Sequence, residues 1–356
     1  MPELNDFLKK LKELYKKEPT LDAARMSEFI RQYALDKGES YTYELPNGGE
    51  FQVGGAADRA NLPKYNSKTV EKLAQLLCEV NAKLPPQPCI KLTPVRGEPT
   101  VFDSKLGGAP YLPKSMGYPT VREGNLAGRP LRLLAQLNFD TLPKLPGFPE
   151  SGILQFFAGC DGDDVVGADF KDYFNQNGFR VIYHEQVISD MSQLVTEADM
   201  PQFDPEDYPF PFKGEYLLKP SQPVLFPATT SDFRFDPAVI ECYNRLFGGN
   251  IVAIWGGKAD VKPGLRTVDE PLYDALYDSC TVVGTRIGGY PFFTQDDPRY
   301  AEYYSGCDTL LFQLDSEDNA EASIVWGDYG VGALFINSDD LKRRDFSRVL
   351  YSWDCS

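Results

Sequence analysis

The chain of 356 residues carries 36 Lys and Arg against 52 Asp and Glu, a formal net charge of −16, with 42% hydrophobic and 25% charged side chains. Nucleic acid and anionic lipid would be repelled by such a chain, and no apolar run approaches the ~18 residues that a membrane-crossing helix needs. Charges punctuate Met1–Lys17, which therefore does not read as a signal peptide, and seven cysteines without a C-x-x-C pair fit a reducing, cytoplasmic setting.

The first 87 residues read as a helical segment. Phe7, Leu8, Leu11, Leu14 and Tyr15 share one helix face, and a second run carries Leu21, Phe29, Ile30 and Tyr33. A third helix is expected to start at Ser67 as its N-cap and to bury Val70, Leu73, Leu77 and Val80. Between the second and third, Asn47-Gly48-Gly49-Glu50 predicts a hairpin turn. Pro85-Pro86-Gln87-Pro88 stops the third helix and sets a boundary, after which strands dominate. Leu131–Leu137, Phe179–Ile188 and Ile251–Trp255 read as strands, and one helix opens at Asp236-Pro237 and closes at Gly248-Gly249.

Self-comparison finds a repeat. Lys105-Leu106-Gly107-Gly108-Ala109-Pro110-Tyr111-Leu112 matches Arg286-Ile287-Gly288-Gly289-Tyr290-Pro291-Phe292-Phe293 at an offset of 181. Leu133–Asn138 matches Leu310–Asp315 at 177, and Gly152–Phe157 matches Gly332–Ile336 at 180. The expected fold is therefore α+β and mainly antiparallel, internally duplicated into two pseudo-symmetric halves at about 88–215 and 216–356, behind the helical segment at 1–87.

The same residues carry a resemblance. The run G-G-x-P-[YF], then L-x-Q-[LI]-N and G-x-L-Q-F-F, is followed by Gly288-Gly289-Tyr290-Pro291, Gln295, Asp297 and Leu311-Phe312-Gln313-Leu314-Asp315. With the ending Trp326-Gly327-Asp328-Tyr329-Gly330 and Tyr351-Ser352-Trp353-Asp354-Cys355, this is similar to the YwqG-like family over residues 88–356. That resemblance implies a mainly bacterial, intracellular domain of unknown function, with a hint of an immunity-type binding role and no catalytic residues to carry over.

Catalytic constellations are scarce. With His184 the single histidine, a multi-histidine zinc site is excluded, and strand alternation places it on a sheet surface with Arg180 and Gln186. Trp255-Gly256-Gly257-Lys258 lacks the spacing of a phosphate loop, and Gly327, Gly330 and Gly332 run in the wrong order for a dinucleotide fingerprint. Asp161-Gly162-Asp163-Asp164 with Asp169 and Asp172 has no EF-hand register and reads as an acidic turn, so neither metal nor cofactor is expected.

Two functional readings remain. Residues 160–215 hold 3 basic and 13 acidic groups, net −10, and residues 294–328 hold 1 and 9, net −8. These stretches favour a non-enzymatic module that meets a basic protein partner, and the resemblance adds an immunity-type role to that expectation. The alternative is a small-ligand or carbohydrate site, hydrolytic or not, in a groove between the halves, formed by Gln136, Asn138, Gln313, Asp315, Trp326 and Asp328. For the matched glutamines the competing use is internal: a buried amide must find hydrogen-bond partners, and backbone groups supply them.

Overall fold

The computed structural model describes residues 65–159, 165–203, 210–254 and 263–356, with the backbone of two strands at 41–44 and 50–53. The two helices expected before residue 40 lie outside these residues, as do Asp161–Asp164 and Trp255–Lys258. Strands β1 (Tyr41–Glu44) and β2 (Glu50–Val53) pair antiparallel on either side of the expected hairpin turn, Glu44 opposite Glu50. The chain divides into two compact units, one formed by Met1–Gln87 with Leu225–Val282, the other by Pro88–Val224 with Val283–Ser356. The boundary at Gln87 coincides with the change of texture in the sequence, whereas residues 225–282 group with the first unit rather than with the strands around them.

Helices build the described part of the first unit. Helix α1 (Ser67–Lys83) is capped one residue earlier than the sequence suggests: Asn66 accepts the Thr69 N–H at 3.0 Å. Its buried stripe is Thr69, Leu73, Leu76 and Val80, so the i, i+4, i+7, i+11 spacing holds while Val70 faces solvent. The helix expected at Asp236 is α2 (Phe235–Phe247), closed by Gly248 in the left-handed conformation. Helices α3 (Leu265–Val268) and α4 (Glu270–Cys280) follow, the latter capped by Asp269. Helix α1 packs on α2 and α4, and the pairs Lys83–Glu241 and Arg245–Glu79 (both 2.7 Å) and Lys72–Asp269 fasten the three together. The strand read at Ile251–Trp255 is not formed among the described residues: Ala253 makes one isolated bridge to Gly264, and Ile251 and Ile254 point inward.

The second unit is an antiparallel sheet that curls into a half-barrel. Its strands are β3 (Gln87–Val95), β4 (Lys105–Gly107), β5 (Arg132–Asn138), β6 (Ile153–Ala158), β7 (Phe179–His184) and β8 (Glu215–Pro220). After β9 (Val224–Phe226) at the unit boundary come β10 (Arg286–Gly288), β11 (Thr309–Asp315), β14 (Val331–Ile336) and β15 (Leu350–Asp354). A short ribbon of β12 (Glu317–Asp318) and β13 (Ser323–Ile324) leaves the sheet, and α5 (Ser338–Arg343) links the last two strands. The spatial order is β15-β14-β11-β10-β3-β8-β4-β5-β6-β7. At the centre, Cys89–Lys91 of β3 pair with β10 and Leu92–Val95 with β8, which gives its own first residues to β4.

Strands β5, β6, β11 and β14 are buried on both faces, which is why they read as unbroken apolar runs instead of alternating ones. On the inside of the curl, Phe156 of β6 and Phe312 of β11 stack with ring centroids 5.2 Å apart, among Ile90, Leu106, Leu137, Ile287 and Leu314. Loop clusters cover the outside, for example Tyr111, Ile153 and Leu194. Both β4 and β10 end in paired left-handed glycines, Gly107-Gly108 and Gly288-Gly289, which reverse the chain before it can extend the ladder. At Gly288 (φ 68°) a Cβ would also meet the Pro88 carbonyl, whereas the space around Gly214 (φ 81°) is open. Gly214→Ala is therefore expected to cost about 1 kcal/mol, the left-handed penalty alone. Gly288→Ala should cost clearly more than its Gly214 counterpart, as read from urea unfolding of both variants.

Candidate functional site

Four of the six residues singled out by the sequence lie in two clusters behind the glycine turns, and their side chains face inward. Gln136 is fully buried opposite Gln155 on β6. Its Oε1 accepts from Tyr111 N (2.8 Å) and Gln155 Nε2 (2.8 Å), and its Nε2 donates to the carbonyls of Val101 and Asp103 (both 2.9 Å). Asn138 donates to Phe102 O (2.7 Å), while its backbone N–H reaches Ser104 Oγ (2.9 Å). Beneath them the Lys105 ammonium, also fully buried, donates to the carbonyls of Thr100 and Ala109. Burial pulls the Lys105 amine down to about 8, against the opposing fields of Glu215, Asp103 and Glu197.

The second cluster repeats the arrangement. Gln313 Oε1 accepts from Phe292 N (2.8 Å) and Arg286 Nη2 (3.4 Å), and Gln313 Nε2 donates to Gly284 O (2.9 Å). The Asp315 N–H reaches Thr285 Oγ1 (3.1 Å), as that of Asn138 reaches Ser104. Arg286 stands where Lys105 does, giving Nε to Tyr290 O (3.1 Å) and Nη1 to Val283 O and Gly284 O. Burial raises the Asp315 carboxyl above its usual range, and the Gly284 and Ser316 N–H groups and nearby Arg286 pull it back. The bulges agree as well, one between Leu133 and Ala135 and one between Leu310 and Phe312. Strand register sets Ile153 opposite Asn138 and Val331 opposite Asp315.

Trp326 is buried against Trp353, ring centroids 5.8 Å apart, and sits over Gly332, where any side chain would collide with its ring. Asp328 is exposed on a turn. The structure thus joins Gln136 with Asn138 and Gln313 with Asp315. None of the six lines the cavity beside Arg180 and Arg344 or the one beside Val101 and Glu197.

His184 corrects the surface assignment. It is buried, packed edge-on against Tyr111 with centroids 4.9 Å apart, and its Nε2 lies 2.9 Å from Gln155 Oε1. The Gln155 amide nitrogen is already committed to Tyr111 O, so Nε2 carries the proton and donates. Burial pushes His184 down to about 4, and the ring is neutral near pH 7. The alternation rule failed there because loop residues Tyr111, Val187 and Ile188 cover the outer face of the sheet.

What sequence reasoning missed is a surface. Residues 169–174, from the first acidic stretch, lie against residues 300–304, from the second. The Tyr173 N–H donates to Tyr304 Oη (3.3 Å), Tyr173 and Tyr304 rings are 5.2 Å apart, and Phe174 meets Tyr303 at 5.5 Å. Tyr300, Tyr303 and Phe170 remain 72%, 61% and 46% exposed, beside the exposed carboxylates of Asp172 and Glu302. Arg348 lies over Phe174 at 4.2 Å and Tyr303 at 5.2 Å, so these rings already hold one guanidinium. Asp169 is occupied by Lys171 N, Asp172 N and Asn175 Nδ2, which lower its pKa and make it a turn former. The available signal was the density of Tyr and Phe inside both acidic stretches.

Two outcomes are expected. Gln136→Leu strands the buried Tyr111 N–H and two half-buried carbonyls and should lose roughly 3 kcal/mol in chemical denaturation. His184 binds its proton far less readily folded than unfolded, so stability is full above pH 6.5 and falls as pH drops toward 4, by at most about 1.4 kcal/mol per pH unit. In His184→Gln that contribution should be lost, so the variant's stability should fall less steeply than that of wild type, as read from unfolding free energies between pH 4 and 7.

No curated protein matches the chain. Among the described residues no helix is long and apolar enough to cross a membrane. The family model for a domain of unknown function, DUF1963, matches residues 104–355, most of the second unit with the inserted helices, and the chain belongs to that family.

Proposed function

We propose that this protein is a non-enzymatic binding module that engages a basic protein partner through the aromatic and acidic face of residues 169–174 and 300–304. One observation carries the reading: two separate acidic stretches of the chain converge around exposed Tyr and Phe rings. Aromatic side chains surrounded by carboxylates combine the apolar contact area of interface hot spots with a field that attracts Lys and Arg. The placement of Arg348 over Phe174 and Tyr303 illustrates the kind of side chain such a face accepts. Neutralisation of a basic protein, the immunity-type role, is consistent with this chemistry. The small-ligand reading finds less support, because the amides and carboxylate it relies on are engaged inside the sheet.

We also infer that the second unit arose by duplication and that the chain is YwqG-like within its family. Supporting the duplication are the repeated hydrogen bonds at an offset of 181, Tyr111 to Phe292 and Ser104 to Thr285, and the shared bulges. The long motif set, from the glycine turns to Tyr351–Cys355, supports the second inference.

The test is affinity capture from extract of the source cells at low and high salt with wild type, Asp172→Lys/Glu302→Lys and Tyr303→Ala. A basic protein held stoichiometrically at low salt, released at high salt and weakened roughly tenfold by either variant is the expected result. Capture that ignores both salt and the face variants would overturn the reading.

A further inference from the structure

A cavity of about 360 Å³ in the second unit gathers positive charge in a protein whose net charge is −16. Arg122, Arg180 and Arg344 converge on it, with Gln176, Tyr183 and Ser347 between them. The neutral groups are spoken for: Gln176 bonds Val181 N and Phe346 O, Tyr183 donates to Ser151 O, and Ser347 donates to Asp345. Among the described residues no ion pair neutralises the arginines. Arg180 gives Nε to Phe179 O and Nη2 to Thr120 O and Gln176 O, leaving both Nη1 hydrogens uncommitted. Arg344 holds the carbonyls of Leu341, Gly147 and Phe148. Arg122 is exposed, anchored only through its backbone N–H on Asn177 Oδ1 (2.9 Å), with its guanidinium unbonded among the described residues.

Carbonyl anchors fix two of the forks without cancelling their charge, and among the described residues no carboxylate pairs with any of the three. The contrast lies one residue away, where Lys342 pairs with Asp339 and Arg343 with Asp340. Burial, and then the neighbouring Arg122 guanidinium, push the Arg180 pKa below its ordinary value, so these charges are close enough to repel. Arg344 also adopts a left-handed backbone (φ 62°) at the end of α5, a position that glycine occupies at lower cost. An arginine is held there against local backbone preference.

We propose that this cavity binds a small phosphate-bearing molecule with at least two negative charges. Guanidinium forks match phosphate oxygens in bidentate fashion, and an anion relieves the repulsion that the empty arrangement leaves. The volume admits a pyrophosphate group or the phosphates of a nucleotide, and Phe346 with Tyr183, rings 5.4 Å apart, offers an apolar wall beside them. A nucleic-acid polymer is disfavoured, since its remaining phosphates would meet the acidic surface. The site is independent of the aromatic face, which has the opposite sign.

The test is calorimetric titration of the full chain with inorganic phosphate, inorganic pyrophosphate, ATP and citrate at constant ionic strength. Pyrophosphate and ATP should bind with one-to-one stoichiometry and more tightly than inorganic phosphate or citrate. Arg122→Gln should weaken pyrophosphate binding about tenfold or more. The thermal midpoint of that variant without ligand should not fall, because among the described residues the side chain makes no bond and its loss relieves the repulsion with Arg180. Citrate binding as tightly as pyrophosphate would reassign the cavity to carboxylates and overturn the phosphate proposal. So would the absence of binding by pyrophosphate and ATP at millimolar concentration, or their undiminished binding to Arg122→Gln.

Discussion

The peptide groups around the two glycine turns must be paired without a neighbouring strand, and much of the second unit follows from how they are. Where β4 and β10 end, Gly107-Gly108 and Gly288-Gly289 swing the chain out of the sheet, and the backbone just beyond is buried. A buried amide without a partner costs more than an ordinary hydrogen bond contributes, so a substitute is obligatory. Gln136 and Gln313 serve as that substitute, each presenting an acceptor to the strayed N–H and donors to carbonyls on the incoming segment. Lys105 and Arg286 close the remaining carbonyls from below. These two cations are not functional charges in the usual sense; they are the ends of hydrogen-bond networks that happen to require ammonium or guanidinium donors.

Charge inside this protein is handled consistently. Arg299 is buried and grips Asp297 with two bonds, Nε to Oδ1 at 2.9 Å and Nη2 to Oδ2 at 2.6 Å, while lying 4.1 Å above the Phe335 ring. The first unit contains the same Asp-x-Arg clasp in Asp232 and Arg234, at 2.7 and 2.8 Å. Spacing of two residues lets one turn satisfy its own fork–carboxylate geometry. Lys105 and Arg286, and Arg180 and Arg344 of the 360 Å³ cavity, are instead held by carbonyls.

The parts of the fold legible in the sequence were those with local signatures. Helix α2 announces itself through Asp236-Pro237 and Gly248, and β5 through its apolar run. Partnering over long distances was not legible. Nothing local tells that Val70 faces out while Thr69 faces in, or that loops roof the outer face of β7 and bury His184. Helix α4 escaped notice because its start, Asp269-Glu270-Pro271, resembles a turn until Leu272 and Leu276 are seen to share a buried stripe. The glutamines were rightly singled out as demanding partners, but whether those partners were backbone or ligand depended on where a segment some 30 residues upstream returned. The aromatic face was hidden for the same reason, being assembled from segments about 130 residues apart.

The central pairing of the sheet also orders events in time. On a ribosome, β8 can join β4 and β3 as soon as residue 220 has emerged, so the wing from β3 to β7 is able to form early. The other margin of β3 has to wait: Ile90 pairs with Ile287, some 67 residues after Pro220, or roughly 3–13 s at ordinary elongation rates. Throughout that interval Cys89, Ile90 and Lys91 present an open, strongly apolar strand edge to the crowded cell. The nascent chain therefore passes through a state whose most adhesive border is the one that its own second half is destined to cover, and the pace of translation sets how long that border stays bare.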